Sequence, residues 1–350
     1  MNRSGLDRRT FSSAVVLSAA TLGAPALCAQ SRLEKPRLVI AAVGHTSLYQ
    51  LVLTVADQLG YFKAEGLDVT IREIAGGARS VQAQAQTGNA ADVVSGPYAQ
   101  IIRLQAQGQK FQAFVLQGRT PAVAMGISSR LLRHFKSASQ LRGRRIGISA
   151  IGSAGQMVAY VILARAALAP TDVSFVSVGN SSDALAALRS GQIDAISHGE
   201  PVMSSLERKG EIRLLADTRT IKGTLDMFGS LMPGACLYAS QDFVKKNPNT
   251  VQALTHAMAR SLKWLQTASP GDLVRTVPES YLLGDRVLYL EAFNRMHEAV
   301  SSDGLFPDDG VQTTLKVLAR FEPDIRSARI DLAATYSNAF AIKARERLQI

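Results

Sequence analysis

The chain has 350 residues, 47% of them hydrophobic, and its 39 Lys and Arg against 28 Asp and Glu give a formal net charge of +11. This length suffices for two lobes, and the two cysteines, Cys28 and Cys236, provide neither a disulfide framework nor a thiolate metal cluster. The basic residues are scattered and are not interleaved with aromatic residues, which argues against a protein that binds nucleic acid.

The first 29 residues have the composition of an export signal. Arg8 and Arg9 precede an apolar run at positions 14–22, and small residues follow up to Ala29. A charged start, a short apolar core and a small-residue end are typical of a cleaved signal peptide. We therefore expect cleavage near Ala26 or Ala29 and a periplasmic mature protein with a net charge of about +9.

The sequence leaves two export routes open. Paired arginines followed by Phe11 suggest twin-arginine export, but Ser12 stands where such signals usually carry Leu or a similar residue. General secretion is the alternative. Beyond residue 30 no uncharged run approaches the ~18 apolar residues that a membrane span needs, so a soluble mature chain is expected.

Ten short apolar runs alternate with helical patterns in the first two thirds of the chain. They lie at 38–43, 67–74, 92–95, 111–116, 122–127, 145–149, 173–178, 193–197, 212–216 and 235–239. Short strands that alternate with helices predict an α/β fold with largely parallel sheets. Later, apolar residues recur at helical spacing, which predicts a helical C-terminal third with helices at 248–265, 288–300, 311–321 and 332–345.

One pattern occurs twice, about 100 residues apart. Residues 87–97 and 190–201 share the order Gly, Asp, apolar strand, Gly and Pro. Pro suits the first position of a helix, so each copy predicts a strand whose carboxyl end runs into a helix at Pro97 or Pro201. Open α/β sheets bind ligands at such ends, so the repeat predicts two similar lobes facing one cleft. The first copy has one residue more before Asp92, which leaves the register of its strand open.

Several segments resemble one family of exported proteins. Residues 60–69 read Gly-Tyr-Phe-Lys-Ala-Glu-Gly-Leu-Asp-Val, in which Gly60 can end a helix. Residues 139–148 read Ser-Gln-Leu-Arg-Gly-Arg-Arg-Ile-Gly-Ile and lead to Gly-Ser at 152–153. In these segments the chain resembles the periplasmic substrate-binding proteins of ABC importers for sulfonates, taurine, nitrate, aromatic acids and the thiamine pyrimidine precursor.

The resemblance implies a two-lobed type II periplasmic-binding fold with a hinge. Lobe one would comprise residues 36–120 and 232–350, and lobe two residues 121–231. A monomer of this kind captures a small-molecule ligand between its lobes and delivers it to an ABC permease in the inner membrane. It is not an enzyme, and it needs neither a cofactor nor a metal ion.

In lobe one, candidate ligand contacts lie where strands end. A Ser or Thr after the first strand can cap the next helix and face the cleft, and a Gly allows close backbone approach. Tyr98 either stacks on a planar ligand or fills the core. The candidates are Thr46, Ser47, Tyr49, Gly77, Ser95, Gly96, Tyr98 and, at the crossing between lobes, Thr120.

In lobe two, the strongest candidates are Ser153, Ala154 and Gly155. They precede a helix expected to start near Gln156, and a free helix N-terminus offers N–H donors to an anion. Asn180 is a candidate at the end of the next strand. Glu200 would repel an anion unless it pairs with a donor such as Arg119 or binds a polar or cationic part of the ligand, and its alternative role is that of an acid at a helix N-terminus.

The pattern therefore predicts a binding protein for a small organic anion, such as a sulfonate or an aromatic carboxylate. One alternative is a periplasmic sensor that passes its ligand to a receptor. Another is an enzyme of the same fold, such as a desulfinase with a cysteine nucleophile. Cys236 lies in an apolar strand, where a small buried thiol is the commoner role, so the enzyme alternative is disfavoured.

Overall fold

A computed structural model describes residues 32–44, 48–74, 91–179, 182–282 and 284–349. The predicted signal peptide and the candidates Thr46, Ser47, Gly77 and Asn180 lie outside the described residues. Residues Leu33–Ile350 form one compact unit. Among the residues described, no helix has the length and apolar character needed to cross a bilayer.

All ten predicted strands are confirmed, with ends shifted by up to two residues. They are β1 (Arg37–Val43), β2 (Asp68–Ile74), β3 (Val93–Pro97), β4 (Phe111–Leu116), β5 (Val123–Ser128), β6 (Arg145–Ile148), β7 (Ser174–Ser177), β8 (Ala195–Gly199), β9 (Ile212–Asp217) and β10 (Ala235–Ser240). Their burial explains the agreement, because apolar residues of each sheet pack on both of its faces.

Helices separate the strands and make up the C-terminal region. The described α-helices are α1 (Leu51–Gln58), α2 (Tyr61–Ala64), α3 (Ala99–Ala106), α4 (Ala154–Arg165), α5 (Ser182–Ser190), α6 (Val202–Arg208), α7 (Ile221–Phe228), α8 (Gln241–Lys246), α9 (Pro248–Thr267), α10 (Pro270–Thr276), α11 (Arg286–Met296), α12 (Asp308–Phe321), α13 (Pro323–Ser327) and α14 (Ala339–Leu348). Short 3₁₀ turns lie at Leu48–Gln50, Ala138–Leu141, Pro170–Asp172, Glu279–Leu282, His297–Ala299 and Leu332–Ala334.

The strands form two five-stranded sheets with the same topology. The first sheet has the order β2-β1-β3-β10-β4 and the second has the order β7-β6-β8-β5-β9. The α/β class is confirmed, and the sheets are largely parallel as expected, because four of the five strands in each sheet run in the same direction. In each sheet one strand, β10 or β5, runs antiparallel to both of its neighbours. The chain enters the second sheet through β5 and returns to the first sheet through β10. Each of these two strands therefore runs opposite to the other strands of its sheet.

The chain passes between the sheets twice, at residues 117–122 and 218–234. Strands β1–β4 and β10 belong to the first sheet, and the contiguous strands β5–β9 make up the second. The boundaries given above for lobes one and two stay a prediction, and the strands fall on the expected sides of them.

The repeated sequence pattern has a structural counterpart. Asp92 accepts the N–H of Val39 through Oδ2 at 2.9 Å, and Asp194 accepts the N–H of Arg145 through Oδ2 at 2.9 Å. Each Asp therefore ties the start of its strand to the neighbouring parallel strand, at the same register in both sheets. The helix positions expected for the prolines are wrong, because Pro97 ends β3 and Pro201 precedes α6 as its cap residue.

The predicted helix over residues 332–345 is interrupted. A 3₁₀ turn is followed by Thr335, whose carbonyl accepts the N–H of Ala113 at 2.9 Å, and the N–H of Ser337 donates to the Ala113 carbonyl at 2.9 Å. These bonds pair the segment with β4, the edge strand of the first sheet. The unpaired backbone groups of that edge thus gain partners, and the helix α14 starts only at Ala339.

Candidate functional site

A narrow pocket lies between elements of the two sheets. Tyr49, Pro97 and Arg103 line it from the first side, and Gly152, Ser153 and Ala154 line it from the second. We call it the cleft cavity. It brings together three of the predicted contacts, Tyr49 and the adjacent residues Ser153 and Ala154, which lie about 100 residues after Tyr49 in sequence.

Ser153 is the N-cap of α4, which starts at Ala154, two residues earlier than expected. Its Oγ accepts the N–H of Gln156 at 3.3 Å, while the side-chain oxygen of Gln156 accepts the N–H of Gly152 at 2.6 Å. Helix geometry leaves the N–H groups of Ala154 and Gly155 without a carbonyl inside the helix. The end of α4 thus presents N–H donors and the positive end of its dipole to the cavity.

Gly155 has a packing role that the sequence did not reveal. A Cβ atom placed there would stand 2.2 Å from the carbonyl oxygen of Ser197 in β8. The hydroxyl of Ser197 donates to the Gly155 carbonyl at 2.7 Å. This close approach fixes the first turn of α4 against the second sheet.

Arg103 joins the two sides of the cleft cavity. Its Nη1 donates to the carbonyl of Gly152 at 2.9 Å, and its other nitrogens bond to Glu322 at 2.6–3.2 Å. Sequence reasoning missed this residue. A single Arg on an amphipathic helix gives no signal that its guanidinium reaches a loop 49 residues away.

A second narrow pocket lies beside the chain crossing, and we call it the crossing cavity. Tyr49 lines both cavities, and the adjacent Gly234 and Ala235 line the cleft cavity and the crossing cavity respectively. Thr120 also lines the crossing cavity. It is fully buried, and its Oγ1 accepts the N–H of Ala122 at 3.2 Å, a bond that shapes the crossing.

A buried polar network lies next to the crossing cavity. Ser95 Oγ donates to Gln50 Oε1 at 2.5 Å and accepts from Gln117 Nε2 at 2.8 Å. The predicted contact Ser95 is thus already engaged with two side chains, and the carbonyl of the neighbouring Gly96 accepts from the Cys236 thiol at 3.6 Å. A direct ligand role for Ser95 and Gly96 stays a prediction.

The hydroxyl of Tyr49 is buried, and among the described residues it has no hydrogen-bond partner. Burial raises the pKa of Tyr49 well above its ordinary value, and the nearby Cys236 and Tyr238 raise it further. The hydroxyl therefore stays protonated and can donate or accept a hydrogen bond.

Of the two roles considered for Tyr98, the structure shows the packing role. The side chain is fully buried, and its hydroxyl and Thr335 Oγ1 are 2.5 Å apart. Its ring centroid lies 5.6 Å from that of Phe306. Tyr98 therefore packs into the core in this structure, and a contact between Tyr98 and a ligand stays a prediction.

Glu200 belongs to a buried ionic cluster. Arg219 is fully buried and lies 2.5 Å from Glu200, 2.5 Å from Asp217 and 2.7 Å from Glu207. Burial raises the pKa of Glu200, and Arg219 opposes that rise. The expected pairing of Glu200 with Arg119 is wrong, because Arg119 donates to the backbone carbonyl of Glu298.

Glu200 also has the role of a helix acid. Its Oε2 accepts the N–H of Ser204 at 3.0 Å, and its Oε1 accepts the Ser204 hydroxyl at 2.8 Å. Both carboxylate oxygens are therefore engaged within the protein. This leaves the N-terminus of α4 and the polar atoms around Tyr49 as the groups best placed to meet a ligand.

Comparison with known proteins now identifies the family. The family described as NMT1/THI5 like matches residues 47–270. A protein of Bordetella bronchiseptica RB50 with a solved structure is 45% identical, with a TM-score of 0.86 over 91% of this chain and 100% of that one. Binding protein YtlA of Bacillus subtilis (strain 168) is 25% identical over 70% of this chain and 71% of its own length.

A more distant likeness concerns the fold. The alkanesulfonate-binding protein SsuA of Xanthomonas axonopodis pv. citri, solved with bound MOPS, is 18% identical, with a TM-score of 0.67 over 88% of this chain and 100% of that one. The predicted periplasmic-binding fold is thereby confirmed. Because the family match spans more than half of its residues, the chain belongs to the NMT1/THI5-like family.

Proposed function

We propose that this protein is the periplasmic solute-binding component of an ABC importer and that it captures a small organic anion in the cleft cavity. Two of the relatives described above, YtlA and SsuA, are named as binding proteins, which supports the solute-binding role. SsuA of Xanthomonas axonopodis is solved with MOPS, itself a sulfonate, which supports an anionic ligand class.

The observation that carries the proposal is the position of the α4 N-terminus. It opens into the cleft cavity at Ser153 and faces Tyr49 on the opposite wall. Arg103 is the one charged side chain among the described residues that line the cavity, although Glu322 offsets part of its charge. A helix N-terminus and an arginine together favour a negatively charged ligand group.

Delivery to a permease requires export. The paired arginines, apolar run and small residues of positions 1–29 support removal of a signal peptide and release into the periplasm. We further propose that the mature protein acts as a monomer and hands its ligand to a permease in the inner membrane.

Binding assays on residues 30–350 test the anion site. Thermal-shift screening of sulfonates, aromatic carboxylates and nitrate selects a ligand, and calorimetry then compares variants. Ser153→Ala removes one hydroxyl contact and is expected to raise Kd about tenfold. Ser153→Asp keeps a good N-cap but places a carboxylate beside the anion, so we expect a still larger loss of affinity.

Ser240 offers a matched control, because it caps α8 by accepting the N–H of Phe243 at 3.1 Å and does not line the cleft cavity. Ser240→Ala should reduce stability without changing Kd. Unchanged affinity of both Ser153 variants would contradict the proposed anion site, and a screen in which only cations bind would contradict the ligand class.

A further inference from the structure

Two surface pockets beside the second sheet share basic side chains. The first, of about 420 Å³, is lined by Arg130, Arg133, Arg189 and Lys209. The second, of about 400 Å³, is lined by Arg189 and Lys209 and also by Arg208. Because two residues line both pockets, the pockets adjoin each other, and we call them together the basic groove.

The basic groove begins at the edge of the second sheet opposite to the α4 N-terminus. Ser128, which lines the first pocket, ends β5 and pairs with Ile212 at the start of β9, and β5 runs antiparallel to β8. Ser153 instead follows the carboxyl end of β6, which is parallel to β8. The groove is therefore a site separate from the cleft cavity.

Two of the five basic side chains in the groove have carboxylate partners. Arg189 Nε donates to both oxygens of Glu211 at 3.1 Å, and Arg208 lies 3.1 Å from Asp285. Glu211 and Asp285 are the two acids among the described residues that line the groove. These pairs position two guanidinium groups and neutralise part of their charge.

The other three basic side chains have no carboxylate partner in the described part of the chain. Arg130 donates through Nη2 to the backbone carbonyl of Arg189 at 2.8 Å, which positions its guanidinium without cancelling its charge. The side chains of Arg133 and Lys209 make neither an ion pair nor a hydrogen bond to described residues. Five basic side chains against two acids leave an excess of positive charge, which favours a partner with several carboxylates.

Apolar side chains lie among these charges. Leu188 lines the first pocket, and Leu185 and Leu288 line the second. A small inorganic anion would use the charges but leave the apolar surface in water, and a flat lipid surface would not enter two concave pockets. A peptide segment that carries both acidic and apolar side chains matches both properties of the groove.

The second pocket is formed by residues from both sides of the cleft. Leu185 lies in α5, beside the second sheet, whereas Asp285 caps α11 and Leu288 lies in its first turn. The helix α11 packs on the core of the first sheet through Tyr289 and Phe293. A segment in this pocket would contact both sides, so its affinity should depend on whether the cleft is open or closed.

We propose that the basic groove docks an acidic, partly apolar peptide segment of a partner protein and that this docking senses the state of the cleft. The inference rests on the proposed function, in which the permease is the partner that has to distinguish the loaded protein from the empty one.

A synthetic peptide tests the groove on the mature protein. Fluorescence anisotropy compares labelled, end-blocked Glu-Leu-Glu-Asp-Leu-Glu with Gln-Leu-Gln-Asn-Leu-Gln, which has nearly the same shape but no charge. We expect only the acidic peptide to bind, and its affinity should fall as salt is raised. Arg133→Glu combined with Lys209→Glu should raise its Kd about tenfold or more, because like charges then face each other.

Lys63→Glu combined with Lys316→Glu is the matched control. Both lysines are exposed and neither lines the groove, while the net charge changes by the same amount. This variant should bind the acidic peptide nearly as well as the unmodified protein does. Equal losses in the two double variants would show that net charge alone attracts the peptide, and would overturn the groove as its site.

The organic acid selected by the binding screen tests the link to the cleft. The second pocket is formed here with Arg208 of α6 against Asp285, and a bound ligand favours the closed form, so saturating acid should raise the affinity for the peptide. We expect a change of about fivefold or more, and the peptide should raise the affinity for the acid by the same factor. Unchanged affinities would refute the sensing role.

Two further results would overturn the docking proposal. Pyrophosphate that binds as tightly as the peptide would assign the groove to a small polyanion. Phosphatidylglycerol vesicles that bind the protein when the peptide does not would assign it to a membrane surface. If the peptide fails to bind while the acid still binds, the proposed function stands without the groove. If no acid binds, the proposed function fails, and the sensing role fails with it.

Discussion

Arg219 is a fully buried charge whose position depends on three carboxylates from different elements. Asp217 ends β9, Glu200 follows β8, and Glu207 lies in α6. Asp217 and Glu200 raise the pKa of Arg219, against the effect of burial, so the guanidinium stays charged. The cluster thereby joins the end of β8, a central strand of the second sheet, to the helix α6 and to the edge strand β9.

Removing this guanidinium should be strongly destabilising. Arg219→Met leaves Glu200 buried without its opposite charge, which costs about 3–5 kcal/mol of unfolding free energy. Arg142→Met is the control, because Arg142 pairs with Asp172 on the surface and should cost about 1 kcal/mol or less. Urea unfolding of both variants measures the difference, and similar losses would contradict a structural role for the cluster.

At the residue level, sequence patterns predicted which types of side chains lie around the cleft. They did not predict the direction in which each of these side chains points. Ser153 could be predicted because a Gly-Ser pair before an apolar helix has a local meaning. The direction of Tyr98 could not, since a residue after a strand can turn toward the cleft or toward the core. The pairing of Glu200 with Arg219 depends on two loops that meet only in the folded sheet.

At the level of elements, α4 depends on one glycine. Because a Cβ at position 155 would stand 2.2 Å from the Ser197 carbonyl, Gly155→Ala must push the helix away from β8. We expect a loss of about 1–3 kcal/mol in stability together with weaker anion binding, since Ser153 moves with the helix. Calorimetry and urea unfolding measure the two effects.

Gly271, in the first turn of α10, is the control for this substitution. A Cβ there would have its nearest contact at 3.4 Å, with the flexible side chain of Arg275. Gly271→Ala should leave both stability and affinity nearly unchanged. If Gly155→Ala behaved in the same way, the close approach of α4 to β8 would not matter for the site.

The elements themselves were largely predictable, and the exceptions have physical causes. The ten strands could be found because their apolar runs are short and are separated by helical patterns. The mixed direction of the sheets could not be read from those runs, since a strand has the same pattern in either direction. The interruption before α14 arises from pairing with β4, a contact with a residue more than 200 positions earlier.

In the whole molecule, contacts bridge the cleft on two sides. On one side Arg103 bonds to the Gly152 carbonyl, and the ring centroids of Tyr160 and Phe321 are 5.4 Å apart. On the other side α6 meets α11, where Arg208 lies 3.1 Å from Asp285. Because the chain crosses between the two sides at residues 117–122 and 218–234, we expect these crossings to act as a hinge and the cleft to open and close.

Small-angle scattering tests this motion. An organic acid selected by the binding screen should reduce the radius of gyration of the mature protein, because a ligand held by both sides favours the closed form. Under the same conditions Ser153→Asp, which is expected to lose affinity, should keep the dimensions of the free protein. Equal dimensions of the unmodified protein with and without saturating ligand would argue against closure.

The strand order also dictates when each sheet can be completed during synthesis. Strand β10 lies between β3 and β4, yet it is made about 120 residues after β4. At typical rates of ~5–20 residues per second, this interval lasts roughly 6–24 s. The second sheet, made from contiguous strands, can form meanwhile. A growing chain that stops short of β10 therefore carries two apolar strands whose edges have no partner, and these edges are where a chaperone is most needed.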